Sequence, residues 1–309
     1  MELSLLKKVR NFSLLLSILV FINILFGPLV RATNSGLACP DWPLCYGRVL
    51  PPAEFRIWME VGHRFYSGGI GIILLFLGIT ILKNPYLRNK FGFIIIFSSA
   101  VILLQVTLGA LTVTKLLDPT TVNLHLLNAV LFLLTVVGIF LRSQSFLQNQ
   151  EGRSSSYGSL LSAGGILGVI IFFLVYYQLY MGGRVSSNYA GLACPDWPLC
   201  QGNWIPKPFA GPVRYHVEHR FTAYFLLLLI LMKFTHAFLN KQNKNDLLFS
   251  TLLLFFCSLQ ILIGVYNVLW GIPTLLTAIH TANGVALLLC SFFVVYNSFT
   301  SSEALNLQK

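Results

Sequence analysis

The histidines of this chain fall on two pairs of repeated positions. His63 and His219 are 156 residues apart, and His125 and His280 are 155 residues apart. Imidazole is the commonest protein ligand of transition metals, and it also transfers protons near neutral pH. Because four of the six histidines are duplicated in this way, the sequence predicts a two-imidazole site in each half of the chain.

A seven-residue motif with two cysteines occurs twice. Residues 39–45 read Cys-Pro-Asp-Trp-Pro-Leu-Cys, and residues 194–200 repeat all seven. Disulfides persist in oxidising compartments, and the short separation can bring the two Cα atoms of each pair within bonding range. The spacing permits closure but does not prove it. The pairs concerned are Cys39 with Cys45 and Cys194 with Cys200.

These residues are embedded in a strongly apolar chain. Hydrophobic residues make up 56% of the 309 residues and charged residues 10%, against about 25% charged in a soluble domain. Eight apolar blocks are long enough for a membrane-spanning helix, which needs about 20 residues. We therefore predict an all-α integral membrane protein with eight transmembrane helices. The predicted spans are roughly 12–30, 60–82, 91–113, 121–141, 158–181, 214–238, 248–270 and 274–298.

The duplication divides the chain into two predicted domains, 1–150 and 151–309. A polar, Ser-rich segment at 142–157 is typical of a connector between them. Each half contains four spans, so both copies enter the membrane in the same direction. We expect two tandem four-helix bundles related by a pseudo-two-fold axis along the membrane normal.

The net charge of +11 does not indicate nucleic-acid binding. The basic residues lie in short tails and loops that alternate with the cysteine loops, as expected when cytoplasmic segments are enriched in Lys and Arg. The basic cluster near the N-terminus favours a cytoplasmic N-terminus. Eight spans then return the C-terminus to the cytoplasm and leave both cysteine loops outside.

The predicted topology places all four repeated histidines at one depth. Spans 2, 4, 6 and 8 begin at the outer surface, and each repeated histidine lies within about two turns of a helix start. Two imidazoles on neighbouring helices, facing each other across a small bundle, are a natural axial pair for haem iron. A zinc site would need further ligands at that level. A single histidine could instead bond a loop carbonyl, but the duplication favours ligands.

The two halves differ beside the first histidine. Glu60 precedes His63 by three residues on the same helix face, and the second half has His216 at that position. A buried carboxylate there could handle protons or form a salt bridge to an outer-loop arginine such as Arg56, and the sequence leaves both open. His216 could replace His219 as a ligand, although symmetry with His63 favours His219.

Other polar residues of the spans have plainer explanations. Arg31 and Arg184, at the outer ends of spans 1 and 5, could pair with haem propionates or anchor the helices at the interface. Gln105 and Gln260 each precede a glycine by four residues, which predicts interhelical hydrogen bonds at close helix contacts. His236 is expected at a solvated helix end.

Together these features resemble the haem A synthase family of bacteria and mitochondria, over nearly the whole chain. The shared features are the eight spans, Glu-x-x-His-Arg in span 2, a histidine opening spans 4, 6 and 8, and Ser-Gly-Leu-Ala before the first cysteine motif. The resemblance implies oxidation of the C8 methyl of haem O, first to the alcohol and then through the hydrated aldehyde to the formyl group of haem A. The product is the haem of cytochrome c oxidase.

The resemblance also implies roles for individual residues. The first half would hold the substrate haem between His63 and His125, with Glu60 as the catalytic residue near the reacting methyl. The second half would hold a resident haem b between His219 and His280. The outer cysteine pairs would be disulfides that shape the loop over each haem or exchange with thiol partners.

Location and partners follow from the same resemblance. We expect a multi-pass protein of the bacterial cell membrane, in contact with lipid, haem O and haem A. Its expected protein partners are haem O synthase (a farnesyltransferase), cytochrome c oxidase assembly factors and thiol–disulfide oxidoreductases. Two other functions fit part of the pattern. A di-haem electron carrier would need no special carboxylate in one half, whereas a non-enzymatic haem carrier would hold exchangeable haem and not depend on O₂.

Overall fold

The computed structural model describes residues 2–150, 162–240 and 244–306, with side chains as far as residue 298. In this part of the chain, eight α-helices are long and apolar enough to cross a membrane. The prediction of an all-α membrane protein with eight spans is therefore confirmed. The helices are α1 (Glu2–Ala32), α2 (Phe55–Lys83), α3 (Pro85–Thr114), α4 (Pro119–Gln150), α5 (Ala163–Ser187), α6 (Gly211–Leu239), α7 (Lys244–Leu269) and α8 (Thr274–Asn306).

The helices are longer than the apolar blocks that predict them. The shortest has 25 residues and the longest 33, whereas the hydrocarbon layer needs only about 20. α4 continues to Gln150 through the first part of the predicted connector, and residues 151–157 lie outside the described part. Large apolar side chains such as Phe93 and Leu103 face outward, as expected for a surface solvated by lipid.

The chain forms two compact units, Met1–Ser154 and Ser155–Lys309, here called the first and the second unit. In the first unit, α1 packs against α2 and α4, and α3 packs against the same two helices. α2 and α4 therefore occupy opposite corners of a four-helix bundle rather than adjacent positions as the sequence suggested. Because short connections reverse the chain at both ends of α3, α2 and α4 begin at the same end of the bundle.

The second unit has the same arrangement among its own helices. α5 packs against α6 and α8, and α7 packs against the same two, so α6 and α8 stand at opposite corners. Apolar side chains that are almost fully buried fill the interior of each unit, among them Leu16, Leu133, Ile139, Ile171, Leu226 and Leu288. The predicted two-fold axis between the units stays a prediction.

Each cysteine motif forms a small disulfide-closed loop before the second helix of its unit. Cys39 is bonded to Cys45, and Cys194 is bonded to Cys200. The aspartate inside each loop accepts hydrogen bonds from two backbone N–H groups: Asp41 from Tyr46 and Gly47, and Asp196 from Gln201 and Gly202. These N–H groups hold the pKa of each carboxyl below its usual range, with the glycine N–H as the main cause.

The far end of α6 differs from the solvated helix end that the sequence suggested. Lys233 is almost fully buried and its Nζ donates to Asp246 on α7. His236 is half-buried, and its Nε2 lies 3.1 Å from the Asn240 side-chain nitrogen. The expectation of a fully solvated end for His236 is wrong because the start of α5 covers one side of its ring, where a Cβ atom added to Gly164 would lie 2.9 Å from Cε1.

Candidate haem-binding sites

In the first unit, His63 and His125 lie on α2 and α4, which begin at the same end of the bundle. His63 is eight residues from the first residue of α2, and His125 is six residues from the first residue of α4. Both histidines therefore lie within about three turns of their helix starts, at one end of the bundle. Within the described residues, the Nδ1 atom of each ring is buried and has no hydrogen-bond partner.

The second unit repeats this arrangement with His219 and His280. The two histidines stand eight and six residues from the first residues of α6 and α8, as in the first unit. The Nδ1 atom of His280 is buried without a partner in the described part of the unit. The Nδ1 atom of His219 lies 3.1 Å from the Gln178 side-chain nitrogen on α5.

A glutamine on the third helix of each unit contacts the histidine of the fourth. The Gln105 Nε2 atom lies 3.2 Å from His125 Nε2, and the Gln105 carbonyl oxygen accepts from the Asn128 side chain at 2.8 Å. The same contacts recur between Gln260, His280 and Asn283. The predicted interhelical bonds therefore exist, but sequence reasoning missed their partner. The separation of 20 residues between glutamine and histidine, present in both halves, was the signal.

Glycines bring helix backbones against the imidazole rings. A Cβ atom added to Gly109 would lie 3.2 Å from His125 Cε1, and one added to Gly264 would lie 3.0 Å from His280 Cε1. Both distances are shorter than ordinary van der Waals contact, so any side chain there would push the ring. The glycine that follows each glutamine by four residues therefore makes room for the imidazole ring of the histidine on the fourth helix.

Glu60 on α2 is buried, and both of its carboxylate oxygens are engaged. Oε2 accepts a hydrogen bond from the Cys39 backbone N–H at 2.9 Å, and Oε1 is paired with the Arg64 guanidinium one turn further along α2. The suggested salt bridge to Arg56 is wrong: Arg56 is also four residues from Glu60 but is exposed, whereas the Arg64 side chain is held beside Glu60 by its bonds to the first disulfide loop. Glu60 thus joins the helix that carries His63 to the first disulfide loop.

His216 fastens the second loop with different chemistry. Its Nδ1 atom lies 3.0 Å from the Ala190 carbonyl oxygen, so the neutral ring donates to the backbone of the loop, and the side chain is buried. This contact to the loop accounts for His216, and His219 remains the repeat counterpart of His63.

The arginines directly after His63 on α2 and His219 on α6 donate hydrogen bonds to the adjacent disulfide loops. Arg64 donates to the carbonyl oxygens of Leu44 at 2.7 Å and Asp41 at 3.0 Å. Arg220 donates to Leu199 at 2.7 Å and to Cys194 at 2.8 Å. Sequence reasoning did not assign these arginines, although their repetition directly after His63 and His219 was visible.

The arginine at the end of α5 is held by protein groups. The Arg184 guanidinium lies 3.2 Å from the Glu218 carboxylate and 4.3 Å from the ring centre of Tyr215. Glu218 also pairs with Arg214 at 2.6 Å. Arg184 therefore has a carboxylate partner within its own unit, which weakens the suggestion that it binds a propionate. Arg31 lies in the last turn of α1, as expected.

The donor set of each unit fits a haem. Each unit has two imidazoles on helices at opposite corners, three of the four carry a buried Nδ1 atom without a partner in the described residues, and a glycine backbone borders the rings of His125, His219 and His280. Among the described residues, no group of three or more His, Cys, Asp or Glu side chains could hold a metal ion, so an imidazole pair is the arrangement available to iron.

Comparison with known proteins identifies the family. The model of the COX15-CtaA family, described as cytochrome oxidase assembly protein, matches residues 10–56 and 53–292. The chain is 30% identical over 316 residues to the heme A synthase of Shewanella oneidensis, covering 89% of this chain and 92% of that protein. It is also 30% identical over 280 residues to the heme A synthase of Halalkalibacterium halodurans, covering 89% and 91%. The chain therefore belongs to the COX15-CtaA family of cytochrome oxidase assembly proteins.

Proposed function

We propose that this protein is a haem A synthase, which oxidises the C8 methyl of haem O to a formyl group and so produces haem A for cytochrome c oxidase. The family match and the names of the relatives support this reaction. The observation that carries the proposal is that each bundle has a repeated histidine on each of two opposite-corner helices, and that among the described residues a buried carboxylate, that of Glu60, lies beside such a histidine in the first unit alone.

We assign the substrate haem to the first unit, between His63 and His125. Glu60 supports this assignment because it places a carboxylate one turn of α2 away from His63, whereas the second unit has His216 there, bonded to a loop carbonyl. In the half-reaction that turns the methyl group and a water into an aldehyde, protons leave together with electrons; the electrons need an oxidant from outside the protein, such as O₂, and the reacting unit needs a group that can take up or pass on the protons.

Within Glu60, we assign proton transfer to the Oε2 atom. Oε1 is paired with the charged Arg64 guanidinium, whereas the partner of Oε2 is one neutral backbone N–H from Cys39. Hydrogen bonds to charged groups are the stronger kind, so Oε2 is the oxygen that is more easily released towards a substrate. Arg64 keeps the carboxylate in place while that oxygen changes partners.

We assign haem b to the second unit, held between His219 and His280. A haem b bound there supplies one-electron transfer. The protein contributes the apolar surroundings of α5 to α8, the orientation of His219 by Gln178, and the orientation of His280 by Gln260. Each of these contacts lies within the second unit.

We place the N- and C-termini in the cytoplasm and the disulfide loops outside a bacterial cell membrane. Two disulfides support an oxidising location for the loops. Thiol–disulfide oxidoreductases are then possible partners of the loops, and haem O synthase and oxidase assembly factors are possible donors and acceptors of haem. Labelling of single introduced cysteines by a membrane-impermeant maleimide in intact cells tests the sidedness. Labelling at an α2–α3 position such as Asn84 would contradict it.

Pigment analysis tests the reaction. The purified protein, produced in cells that make haem O, is extracted with acid and its haems are separated by chromatography. Haem O and haem A beside haem b would support the synthase. Haem b alone would favour an electron carrier, and a haem content that is independent of O₂ during growth would favour a non-enzymatic haem carrier.

A further inference from the structure

The first helix of each unit makes different contacts with the histidine on the second helix. Asn23 on α1 and Gln178 on α5 are 155 residues apart, and so are Gly27 and Gly182, so each pair occupies one repeat position. The two members of each pair differ in how closely they contact the histidine on the next helix, which is His63 in the first unit and His219 in the second.

In the second unit, α5 holds His219 on two sides. The Gln178 side-chain nitrogen donates to the His219 backbone carbonyl at 2.9 Å and lies 3.1 Å from Nδ1 of the ring. One helical turn further along α5, a Cβ atom added to Gly182 would lie 3.2 Å from His219 Cε1. The backbone of α5 therefore lies against one edge of the ring, and the Gln178 carboxamide meets a ring nitrogen.

The Gln178 carboxamide can also meet His219 in either protonation form. A ring that binds iron through Nε2 carries its proton on Nδ1 and needs an acceptor there. The Gln178 side-chain oxygen is buried without a partner in the described residues. Rotation of the carboxamide would present that oxygen to Nδ1 and would break the bond from the side-chain nitrogen to the His219 backbone carbonyl, because the same nitrogen now makes both contacts.

In the first unit, α1 leaves the His63 ring much less constrained. Asn23 has one methylene less, and its side-chain nitrogen donates to Ser67 Oγ at 2.9 Å instead of reaching the ring. The Nδ1 atom of His63 is buried without a partner in the described part of the unit, and a Cβ atom added to Gly27 would meet nothing within 4 Å. The edge of the Phe26 ring, with centroids 5.5 Å apart, is the ring contact from α1.

We propose that Gln178 and Gly182 are positioning residues that make His219 a permanent haem ligand, and that Asn23 and Gly27 leave His63 able to release its haem. The proposal rests on the proposed function, since it concerns haem bound by these histidines. Hydrogen bonds that orient a ligand histidine raise metal affinity. A resident cofactor must be retained, whereas a haem that is substrate and then product must leave.

The reciprocal substitutions Gln178→Asn and Asn23→Gln test the proposal on the full-length, haem-loaded protein. The first measurement is the rate at which each haem passes to excess apomyoglobin. The second is the electron paramagnetic resonance spectrum of the ferric low-spin haem, which reports ligand orientation independently of activity. Loss of one hydrogen bond at His219 should speed release of haem b by about fivefold and shift its highest g value. Asn23→Gln should slow release of the other haem by a similar factor.

A steric pair of variants separates orientation from general damage. Gly182→Ala should shift the spectrum of the haem bound by His219, because the new Cβ presses on that ring. Gly27→Ala, with open space around the new Cβ, should leave the spectrum of the haem bound by His63 unchanged. Unchanged release and an unchanged spectrum of haem b in Gln178→Asn would overturn the proposal. A failure of the proposed function gives a different result. If His219 does not bind haem b, the substitution His219→Ala will leave the haem b content of the protein unaltered.

Discussion

Oε2 of Glu60 accepts a hydrogen bond from the Cys39 backbone N–H at 2.9 Å. Glu60 on α2 is therefore directly bonded to the first disulfide loop, although 21 residues separate Glu60 from Cys39 along the chain. Any change that opens the loop removes one of the two contacts that hold the carboxylate, and any change at Glu60 removes one anchor of the loop.

Glu60→Gln should lower haem A formation by about a hundredfold or more, because the amide cannot take up a proton. Haem O or its alcohol should accumulate, as measured by chromatography of extracted haems. Glu54→Ala is the matched control, since Glu54 is exposed, lies before the same helix and makes no capping hydrogen bond. Normal haem A formation by Glu60→Gln would show that the carboxylate is structural.

Replacing both cysteines of one loop by serine should affect the two units differently. Loss of a disulfide that closes so short a loop costs about 2 kcal/mol of stability. The Cys39/Cys45 variant should lower haem A formation through Glu60 while haem b content persists, because its loop does not belong to the second unit. The Cys194/Cys200 variant should lower haem b content first. Equal effects of the two variants on both haems would contradict the assignment of one loop to each unit.

Arg220→Lys should loosen the second loop, because one ammonium group cannot replace a guanidinium that donates to Leu199 and Cys194 from two separate nitrogens. We expect a loss of about 2 kcal/mol in the free energy of unfolding, since hydrogen bonds from charged groups are the stronger class. Thermal unfolding in detergent measures it. Lys207→Arg, in the exposed segment between the second disulfide loop and α6, serves as the control. Equal stabilities of the two variants would argue against a stabilising role of the Arg220 hydrogen bonds.

Gly109→Ala should displace the His125 ring, because the new Cβ would lie 3.2 Å from Cε1. The haem of the first unit should bind about tenfold more weakly, which titration of the haem-depleted protein by visible absorption would detect. Gly68→Ala, where a Cβ meets nothing within 4 Å, should bind haem as the wild type does. An unaffected Gly109→Ala variant would show that the ring has room to move.

The folded conformation of the disulfide loops should become less stable at acid pH, while the disulfide bonds themselves stay intact. The pKa of Asp41 and that of Asp196 are lowered by backbone N–H groups, so their stabilising effect is present above the unfolded-state pKa of about 3.9 and is lost as the pH falls through the lower folded-state pKa. Cleavage of the loops by pepsin, corrected for its own pH profile, should rise below about pH 4. The Asp41→Asn, Asp196→Asn double variant should lose this dependence.

The duplication made the positions of the repeated histidines predictable. Residues that recur at one offset must occupy equivalent places in two copies of one bundle, so His63, His125, His219 and His280 could be paired without coordinates. The eight spans were equally accessible, because apolar length is a property of the local sequence. The span ends were less accessible, since α4 continues past the apolar block to Gln150.

Partners of the polar side chains could not be predicted, because a partner depends on how each helix is rotated and where each loop returns. The sequence suggested Arg56 for Glu60, but the turn of α2 supplies Arg64. It offered no role for Gln178, whose contact with His219 exists only because α5 packs against α6. The composition, the repeat and the repeated histidine positions were thus determined by the sequence alone. The opposite-corner placement of α2 and α4 and the unequal support of His63 and His219 were decided by tertiary packing, which brings together residues that no spacing rule connects.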